Sequence, residues 1–264
     1  MERIWRLIDS GPGSASYNMA LDEAIATLVR KKDLPPVLRL YGWDRPSLSL
    51  GYFQRALDID IDYCEAEDIP IVRRPTGGRA ILHGDELTYS FSACTYQGPF
   101  SKGLLDSYKK ISAAFHLAFR NIGICTERKL KREKGSVLAG SPLCFQSSSY
   151  GEILINNRKV VGSAQKRWCD GLLQQGSIPY SFDAQKIRNI FGGEETTFLR
   201  DCMVGLREVL PEFNEGLFKE IAAASFEEAF GIGFILSPAS QEELTLAQEL
   251  ERQKYLPGLW KAKE

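Results

Sequence analysis

Two residues with the chemistry for covalent catalysis at neutral pH lie near one another in this sequence, Cys144 and Lys159. The thiolate is a strong nucleophile, but a free thiol with a pKa near ~8.5 is only a few per cent ionised at pH 7. An ammonium group beside the sulfur would stabilise the thiolate, and a pKa lower by ~2 units would make it the major form. Taken singly, a cysteine is more often a small buried hydrophobe and a lysine a surface residue. The residues that follow the lysine are small and leave room beside it: Gly162, Ser163 and Ala164.

A second candidate site is an arginine- and glycine-rich loop between two predicted strands. Arginine offers a planar fork to carboxylate, phosphate or carbonyl groups, and paired glycines let the backbone approach a ligand closely. Two interpretations stay open on spacing alone, a ligand-binding loop or a hairpin loop with solvated arginines. His83 ends the strand after the loop, and of the two histidines in the chain it is the one expected in a site. The candidate residues of the loop are Arg73, Arg74, Thr76, Gly77, Gly78 and Arg79.

No metal site and no nucleotide motif is predicted. The six cysteines contain no C-x-x-C pair, and His83 and His116 are the only histidines, so the close ligand pairs of a structural zinc site are missing. The sequence also lacks the G-x-x-x-x-G-K-[ST] phosphate loop, the H-E-x-x-H motif and the G-x-S-x-G elbow. We therefore expect chemistry that depends on side chains, without a metal or a cofactor.

Hydrophobic periodicity predicts the elements that position these residues. Strands at Val37–Tyr41 and Leu48–Tyr52 are expected to pair through a turn at Asp44–Pro46, and a hairpin is expected around Asn156 and Asn157. Strands dominate the first 180 residues and helices the rest, which predicts an α+β fold with mixed or antiparallel sheets flanked by helices. We expect a catalytic domain over residues 1–235, with residues 236–264 as a helical extension of it. Further strands are predicted at 4–8, 69–73, 80–83, 87–93, 151–155, 159–164 and 172–180, and helices at 14–32, 63–68, 104–121, 184–190, 202–210, 217–230 and 241–253.

Composition and charge exclude several classes of protein. The 264 residues are 44% hydrophobic and 25% charged, which disfavours disorder, collagen and coiled coil. A net charge of −1 predicts neither a nucleic-acid partner nor a membrane partner. No apolar run reaches the ~18 residues of a transmembrane helix, and the first residues lack the apolar stretch of a signal peptide. We therefore expect a cytoplasmic protein.

Together, these segments resemble the superfamily of lipoate–protein ligases, octanoyltransferases and biotin–protein ligases. The loop Arg73–Gly78 followed by His83 is similar to its R-R-x-[ST]-G-G-x-x-x-x-H signature, and the segment that begins at Lys159 is similar to the lysine motif K-x-x-G-[SA]-A of the lipoate enzymes. The resemblance is closest to the LipM-type octanoyltransferases. Further matching segments are Asn18–Asp22, Pro46–Gln54, Arg79, Glu86–Ser90 and Leu143–Phe145.

The resemblance implies an octanoyltransferase of lipoate biosynthesis with a biotin/lipoate protein ligase-like catalytic fold. By this likeness Cys144 is the acyl-thioester nucleophile and Lys159 lowers its pKa. The implied donor is octanoyl-acyl carrier protein, and the implied acceptor is a lysine of a lipoyl domain or of the glycine-cleavage H protein. The implied substrate-binding residues are Arg73, Arg74, Thr76, Gly77, Gly78, Arg79, His83, Gly162, Ser163 and Ala164.

Three other functions stay open. An ATP-dependent lipoate or octanoate ligase would form an acyl-adenylate, and Cys144 would then be dispensable; such ligases generally carry an extra small C-terminal domain, for which the residues after Ile235 are too few. An amidotransferase would move octanoyl between lipoyl domains by the same chemistry. A non-catalytic lipoyl-domain-binding protein would share only the fold. The basic run Arg128–Lys134 is either a solvated loop or a docking surface for an acidic carrier or lipoyl domain.

Overall fold

The computed structural model describes residues 3–128, 152–192, 196–256 and 258–261. Cys144 lies outside the described residues, as does the basic run Arg128–Lys134 apart from the backbone of its first residue. The predicted α+β fold is confirmed, with one sheet of eight strands and one of three. The strands are β1 (Arg3–Gly13), β2 (Val37–Trp43), β3 (Ser47–Leu50), β4 (Ile71–Arg73), β5 (Ile81–His83), β6 (Glu86–Cys94), β7 (Glu127–Arg128), β8 (Ile153–Ile155), β9 (Arg158–Arg167), β10 (Gly171–Pro179) and β11 (Ile232–Leu236).

Local sequence chemistry sets the ends of the main helices. The Ser14 side chain accepts a hydrogen bond from the backbone N–H of Tyr17 and so caps the first helix. Ser240 and Glu243 form a capping box at the start of the last one. The helices are α1 (Ala15–Lys32), α2 (Ile61–Ala66), α3 (Leu104–Asn121), α4 (Ala184–Phe191), α5 (Thr196–Cys202), α6 (Leu206–Val209), α7 (Glu215–Phe230) and α8 (Gln241–Leu250). None of the described helices has the length and apolarity needed to cross a membrane.

The large sheet joins the two ends of the chain. Its strand order is β11-β1-β2-β6-β10-β9-β8-β7, and β1 pairs in parallel with both β11 and β2. Strand β11 was not predicted, so the expectation of a C-terminal part built only from helices is incomplete. Five residues between a helix and Ser237 are too few to show a strand period, and their pairing with Arg3–Leu7 is a contact across the whole sequence.

The predicted pairing of the second and third strands is wrong. Strand β2 lies in the large sheet between β1 and β6, whereas β3 pairs with β4 and β5 in the small sheet. The turn after Trp43 therefore carries the chain from one sheet to the other. All four residues of β3 are buried, including Ser47 and Ser49, so the polar residues of its alternating pattern do not face solvent.

Two helical layers enclose the large sheet. On one face, α3 and α7 pack against it through an apolar core that is rich in aromatic residues, among them Phe91, Phe115 and Phe226. On the other face, α1 and α8 bury a second core that includes Ile25 and Ala247. The small sheet shares a third core with α2, α4 and the C-terminal Trp260. Helix α1 also contacts β3 and β4, so the small sheet lies beside the face of the large sheet that α1 covers.

The predicted helix at 202–210 is interrupted. Helix α5 ends at Cys202 and α6 begins at Leu206. Between them, Met203 forms a parallel bridge with Lys159, and the Val204 N–H donates to the Lys159 carbonyl over 3.1 Å. Both residues are buried, so the interruption satisfies backbone groups of β9 that a continuous helix could not reach.

Candidate active site

A pocket lies between the large and the small sheet, beside the first turns of α1. The space between its lining residues, counted together with the solvent at its mouth, is about 350 Å³. Strands β2, β6, β9 and β10 form one side of it, and β3, β5 and the loop before β5 form the other. The pocket brings together five of the residues predicted from sequence: Arg74, His83, Gly162, Ser163 and Ala164.

Sequence reasoning did not identify the rest of the lining as a site. Met19 of α1 and Trp43 of β2 supply apolar surface, and Gln175 and Ser177 of β10 supply polar groups. The signal available was strand register. Gln175 pairs with Ala164 and Ser177 with Gly162, and directly paired residues point to the same face of a sheet. A correct pairing of β9 with β10 would therefore have placed these side chains in the pocket.

Gly77 and Gly78 belong to the loop between β4 and β5, called the glycine loop below, which passes very close to the end of β3 and to β9. Gly78 has φ +86°, a conformation that favours glycine, and a Cβ on it would lie 3.6 Å from the Ala164 Cβ. A Cβ on Gly51 would lie 1.8 Å from the Gly78 carbonyl oxygen. Gly51 therefore has no room for a side chain, and the loop is held between the end of β3 and the small residues of β9.

Arg74 holds the glycine loop in one conformation through hydrogen bonds to its carbonyl groups. Its guanidinium is buried and donates to the carbonyls of Gly77 over 2.8 Å and Arg79 over 2.6 Å. It also donates to the Ser49 carbonyl over 2.9 Å and the Ser49 hydroxyl over 3.0 Å. One planar fork thus ties the glycine loop to β3, an arrangement that a lysine ammonium could not reproduce.

Arg73 has a different place. Its guanidinium is also buried, but it donates to the carbonyls of Gly51 over 3.0 Å, Gln54 over 2.5 Å and Trp260 over 3.2 Å. It does not line the pocket described here. Its contacts join the turn after β3 to the C-terminal segment, on the side of the loop away from the pocket.

Thr76 connects the loop to the floor of the pocket. Its fully buried hydroxyl donates to the Gln175 side-chain oxygen over 2.8 Å. The Gln175 amide in turn donates to Asp22 over 2.7 Å. Asp22 also pairs with the buried Arg39 at 2.7 Å and accepts from the Tyr41 hydroxyl over 2.8 Å. A buried polar network below the pocket therefore holds both the loop and β10 in place.

His83 stands at the centre of a hydrogen-bonded chain. Its ring stacks on Trp43 with centroids 4.0 Å apart. Its Nδ1 lies 2.7 Å from Glu86 Oε1, and its Nε2 lies 2.7 Å from the Ser49 hydroxyl. Because that hydroxyl also contacts Arg74, the chain runs from Glu86 through His83 and Ser49 to the arginine that holds the glycine loop.

The carboxylate that ends this chain is stabilised in its charged form. Burial raises the pKa of Glu86, but the charge of His83 and the hydrogen bonds from His83, Thr88 and Ser177 outweigh it and hold the pKa below its ordinary value. A carboxylate that stays ionised is a fixed acceptor for the imidazole N–H. Glu86 therefore sets the orientation of His83 in the pocket wall.

A second cavity, with an empty volume of about 640 Å³, adjoins the first. The two share His83 and Ser177 as lining residues. Leu82, Ile187 and Met203 give the second cavity apolar surface. Because Met203 forms a bridge with Lys159, this cavity extends the site toward the end of β9 that carries the lysine.

Lys159 is almost completely buried, with 1% of its side chain exposed. Its Nζ lies 2.6 Å from Glu152 Oε1, and Glu152 is itself 4% exposed. In the strand ladder Lys159 pairs with Leu154 and Val161 pairs with Ile153, so Val160 is an extra residue in β9. Such bulges redirect side chains and are common beside active sites. The sequence did not single out Glu152, although the correctly predicted hairpin at Asn156 and Asn157 brings its strand back beside Lys159.

Two other cysteines, the buried Cys64 and the partly buried Cys94, have thiols that are not activated. Burial, followed by nearby carboxylates, raises the pKa of Cys64 and of Cys94 to about 11, so both are protonated at neutral pH. They pack as small, weakly polar groups. In the described ranges, no three histidine, cysteine, aspartate or glutamate residues are grouped so that they could hold a metal ion.

The sequence matches a known family over most of its length. The profile of the lipoyl protein ligase A/B catalytic domain matches residues 14–231. Octanoyltransferase LipM of Carboxydothermus hydrogenoformans is 38% identical to this chain and covers 97% of each sequence. Octanoyltransferase LipM of Bacillus subtilis is 35% identical and covers 99% of each.

Solved structures share the fold. Lipoate-protein ligase A bound with ATP superposes with a TM-score of 0.80, at 22% identity, over 99% of this chain and 98% of that one. The bi-partite lipoate protein ligase of Thermoplasma acidophilum gives a TM-score of 0.78, at 20% identity, over 97% and 95%. At these identities the likeness concerns the fold alone.

Proposed function

This chain belongs to the lipoyl protein ligase A/B catalytic-domain family, and on that premise we propose that it is a cytoplasmic octanoyltransferase of lipoate biosynthesis. The observation that carries the proposal is similarity to proteins named octanoyltransferase LipM over nearly the whole of both chains. Similarity of that extent includes the glycine loop, strand β9 with Lys159, and the segment that contains Cys144. The donor is octanoyl-acyl carrier protein, and the acceptor is a lysine of a lipoyl domain or of the glycine-cleavage H protein.

The first half-reaction transfers the octanoyl group to the enzyme. The Cys144 thiolate attacks the thioester carbonyl and forms a new C–S bond. The C–S bond to the carrier protein breaks, and the carrier's sulfur leaves as a thiolate that takes a proton from solvent. One thioester replaces another, so the step is nearly balanced in free energy and needs no ATP. Lys159 supports this step because a buried ammonium beside the sulfur favours the thiolate over the thiol.

The second half-reaction transfers the group to the acceptor. The amine of the acceptor lysine attacks the enzyme thioester, the C–S bond breaks, and an amide forms. The amine gives up its proton, which goes to the departing Cys144 sulfur, directly or by way of Lys159. An amide is much more stable than a thioester, so this step draws the sequence of reactions forward.

The pocket suits an acyl chain that arrives on a protein. Met19, Trp43 and Ile81 offer apolar surface to the chain. Gly77 and Gly78 lie beside the lining residues Arg74 and Ala164 and carry no side chain that would keep a thioester away from the backbone. His83 and Arg74 have fixed orientations, which keeps the loop in one conformation while the acyl group enters.

The test is octanoyl transfer to a purified lipoyl domain in the absence of nucleotide. The proposal expects amide formation with octanoyl-acyl carrier protein as donor, and its loss in Cys144→Ala. Lys159→Ala should leave the sulfur in place but slow its alkylation by iodoacetamide at pH 7, because the thiolate loses its nearby cation. Equal alkylation rates in the two proteins would contradict the role given to Lys159.

Other outcomes of the same assay identify the alternatives. Transfer that requires ATP and survives Cys144→Ala would identify a ligase. Transfer that proceeds only from an octanoylated H protein would identify an amidotransferase. Binding of a lipoyl domain without any transfer would identify a non-catalytic protein. Charge reversal in the basic run Arg128–Lys134 should weaken transfer most at low salt if that run docks an acidic carrier or lipoyl domain.

A further inference from the structure

In the proposed reaction a thioester forms on Cys144 beside Lys159, which is buried and paired with Glu152. A lysine amine close to a cysteine thioester is a competing nucleophile. If Lys159 were neutral, its nitrogen could attack the octanoyl carbonyl, break the C–S bond and form an amide, with the proton passing to the sulfur. That product withholds the octanoyl group from the acceptor, because an amide is a much poorer acyl donor than a thioester.

We propose that Glu152 is a positioning residue that holds Lys159 as an ammonium and so prevents it from capturing the octanoyl group. This inference rests on the proposed function, since it requires a thioester on Cys144. Within the part of the chain that the structure describes, Glu152 is the carboxylate that forms an ion pair with Lys159, with 2.6 Å between Nζ and Oε1. A protonated amine has no lone pair and is not a nucleophile.

Because Lys159 is buried, its charged form depends on the Glu152 carboxylate. Lys159 and Glu152 are 1% and 4% exposed, and an ammonium removed from water gives up its proton unless a counter-charge stays beside it. The thiolate is present for only half of the cycle. Once Cys144 carries the octanoyl group its sulfur is neutral, and Glu152 then provides the negative charge that keeps Lys159 protonated.

The fold fixes this pair from both sides. The Lys159 backbone is held by Met203 and Val204, and the bulge at Val160 directs the lysine side chain inward. The preceding Arg158 differs from Lys159 because its partner, Glu208, is half-exposed and the ion pair lies near the surface. Adjacent positions of β9 thus carry one solvated ion pair and one buried ion pair, and only the buried one lies on the lysine of the family motif.

The test is the chemical identity of the adduct formed without an acceptor. Wild-type protein and Glu152→Gln are incubated with octanoyl-acyl carrier protein, treated with hydroxylamine, and analysed by intact mass and peptide mapping. Hydroxylamine cleaves thioesters and leaves amides intact. The wild-type adduct should disappear completely, whereas Glu152→Gln should accumulate a resistant octanoyl group on Lys159.

Three further variants make the result specific. Glu152→Asp keeps the charge and should restore a fully labile adduct. Glu152→Gln combined with Lys159→Ala should form no resistant adduct, since the capturing nitrogen is gone. Glu243→Gln neutralises another buried, ion-paired carboxylate, far along the chain in α8, and should leave the adduct labile.

The outcomes separate the two claims. If wild-type protein forms no adduct on Cys144, the proposed function fails. If wild-type protein forms a labile adduct and Glu152→Gln forms one that is equally labile and equally stable over time, the role of Glu152 is refuted. A resistant adduct that persists after Lys159→Ala would refute it as well.

Discussion

Arg73 and Arg74 are neighbours in the chain, but their guanidinium groups hold different parts of the molecule. Arg74 lines the pocket and binds the carbonyls of the glycine loop. Arg73 points away and binds the carbonyl of Trp260 near the C-terminus. Arg73 is the last residue of β4 and Arg74 is the first residue of the loop that follows, and the two identical side chains of one motif have separate tasks.

Lysine substitution should separate these two tasks. Arg74→Lys retains the charge but loses the fork, and with each lost buried hydrogen bond worth ~1 kcal/mol or more the value of kcat/KM should fall by at least about tenfold. Arg73→Lys should instead lower the midpoint of thermal unfolding and increase hydrogen exchange around Leu259–Lys261. Steady-state kinetics and exchange mass spectrometry measure the two effects. Identical kinetic losses in both variants would contradict the division.

A side chain at Gly51 should displace the glycine loop. The Cβ of Gly51→Ala would lie 1.8 Å from the Gly78 oxygen and 2.7 Å from its carbonyl carbon, so the backbone must move. Overpacking of this kind destabilises by about 1–3 kcal/mol, and a shift of about 1 Å at a site can slow a reaction by about a hundredfold. The rate of acyl-enzyme formation should fall steeply.

Gly216→Ala is the matched control for this substitution. Its Cβ would meet Asn214 at an ordinary 3.5 Å in the first turn of α7. Its rate of acyl-enzyme formation should match the wild type, and its stability should be equal or slightly higher because alanine favours helix. A Gly51→Ala protein as fast as the wild type would show that the loop tolerates displacement.

Removal of Asp22 should destabilise the fold strongly. Asp22 and Arg39 are 0% and 1% exposed and pair at 2.7 Å, so Asp22→Ala leaves a buried guanidinium without its counter-charge. The expected loss is about 3–5 kcal/mol. Glu242→Ala breaks the exposed pair with Lys32 and should cost about 0–1 kcal/mol. Urea unfolding measures both, and losses of similar size would argue against a structural role for the buried network.

Acid stability should depend on Glu243. Burial raises the pKa of this carboxyl, but hydrogen bonds from Arg6 and Ser240 and the charge of Arg6 outweigh it, and the pKa lies below its ordinary value of 4.5. As pH falls, the unfolded chain takes up this proton before the folded protein does. The stabilisation is therefore fully present above the ordinary pKa and is lost as pH falls through the lowered one.

Glu243→Gln should remove this dependence. The variant should be less stable than the wild type at pH 7, and its urea midpoint should fall less steeply from about pH 5 to about pH 3. Because Glu243 starts α8 and binds Arg6 of β1, the same measurement reports how firmly the C-terminal segment is attached to the large sheet. Parallel pH profiles in the two proteins would contradict the pKa shift.

Local signals predicted much of the fold. Helix α3 has the predicted bounds, Leu104–Asn121, because its apolar stripe is long and regular. The hairpin after β8 forms at Asn156 and Asn157, which both have positive φ, as asparagine allows in tight turns. Strand partners were harder to predict. The partners of β3 come later in the chain, and nothing in its own residues tells which sheet it joins.

The sequence motifs predicted part of the candidate site. The motifs located Arg74, His83 and the small residues of β9, and the structure brings these together in one pocket. They did not reveal that Glu86 orients His83 or that Glu152 pairs with Lys159, because both contacts depend on register and on a bulge. The role of Cys144 remains a prediction from sequence.

The most direct test of the account is the intact mass of the purified protein after brief mixing with octanoyl-acyl carrier protein and no nucleotide. The mass should increase by one octanoyl group. Hydroxylamine should remove this group, peptide mapping should place it on Cys144, and a lipoyl domain should consume it. An unchanged mass, or an adduct that forms only when ATP is supplied, would contradict the proposed function.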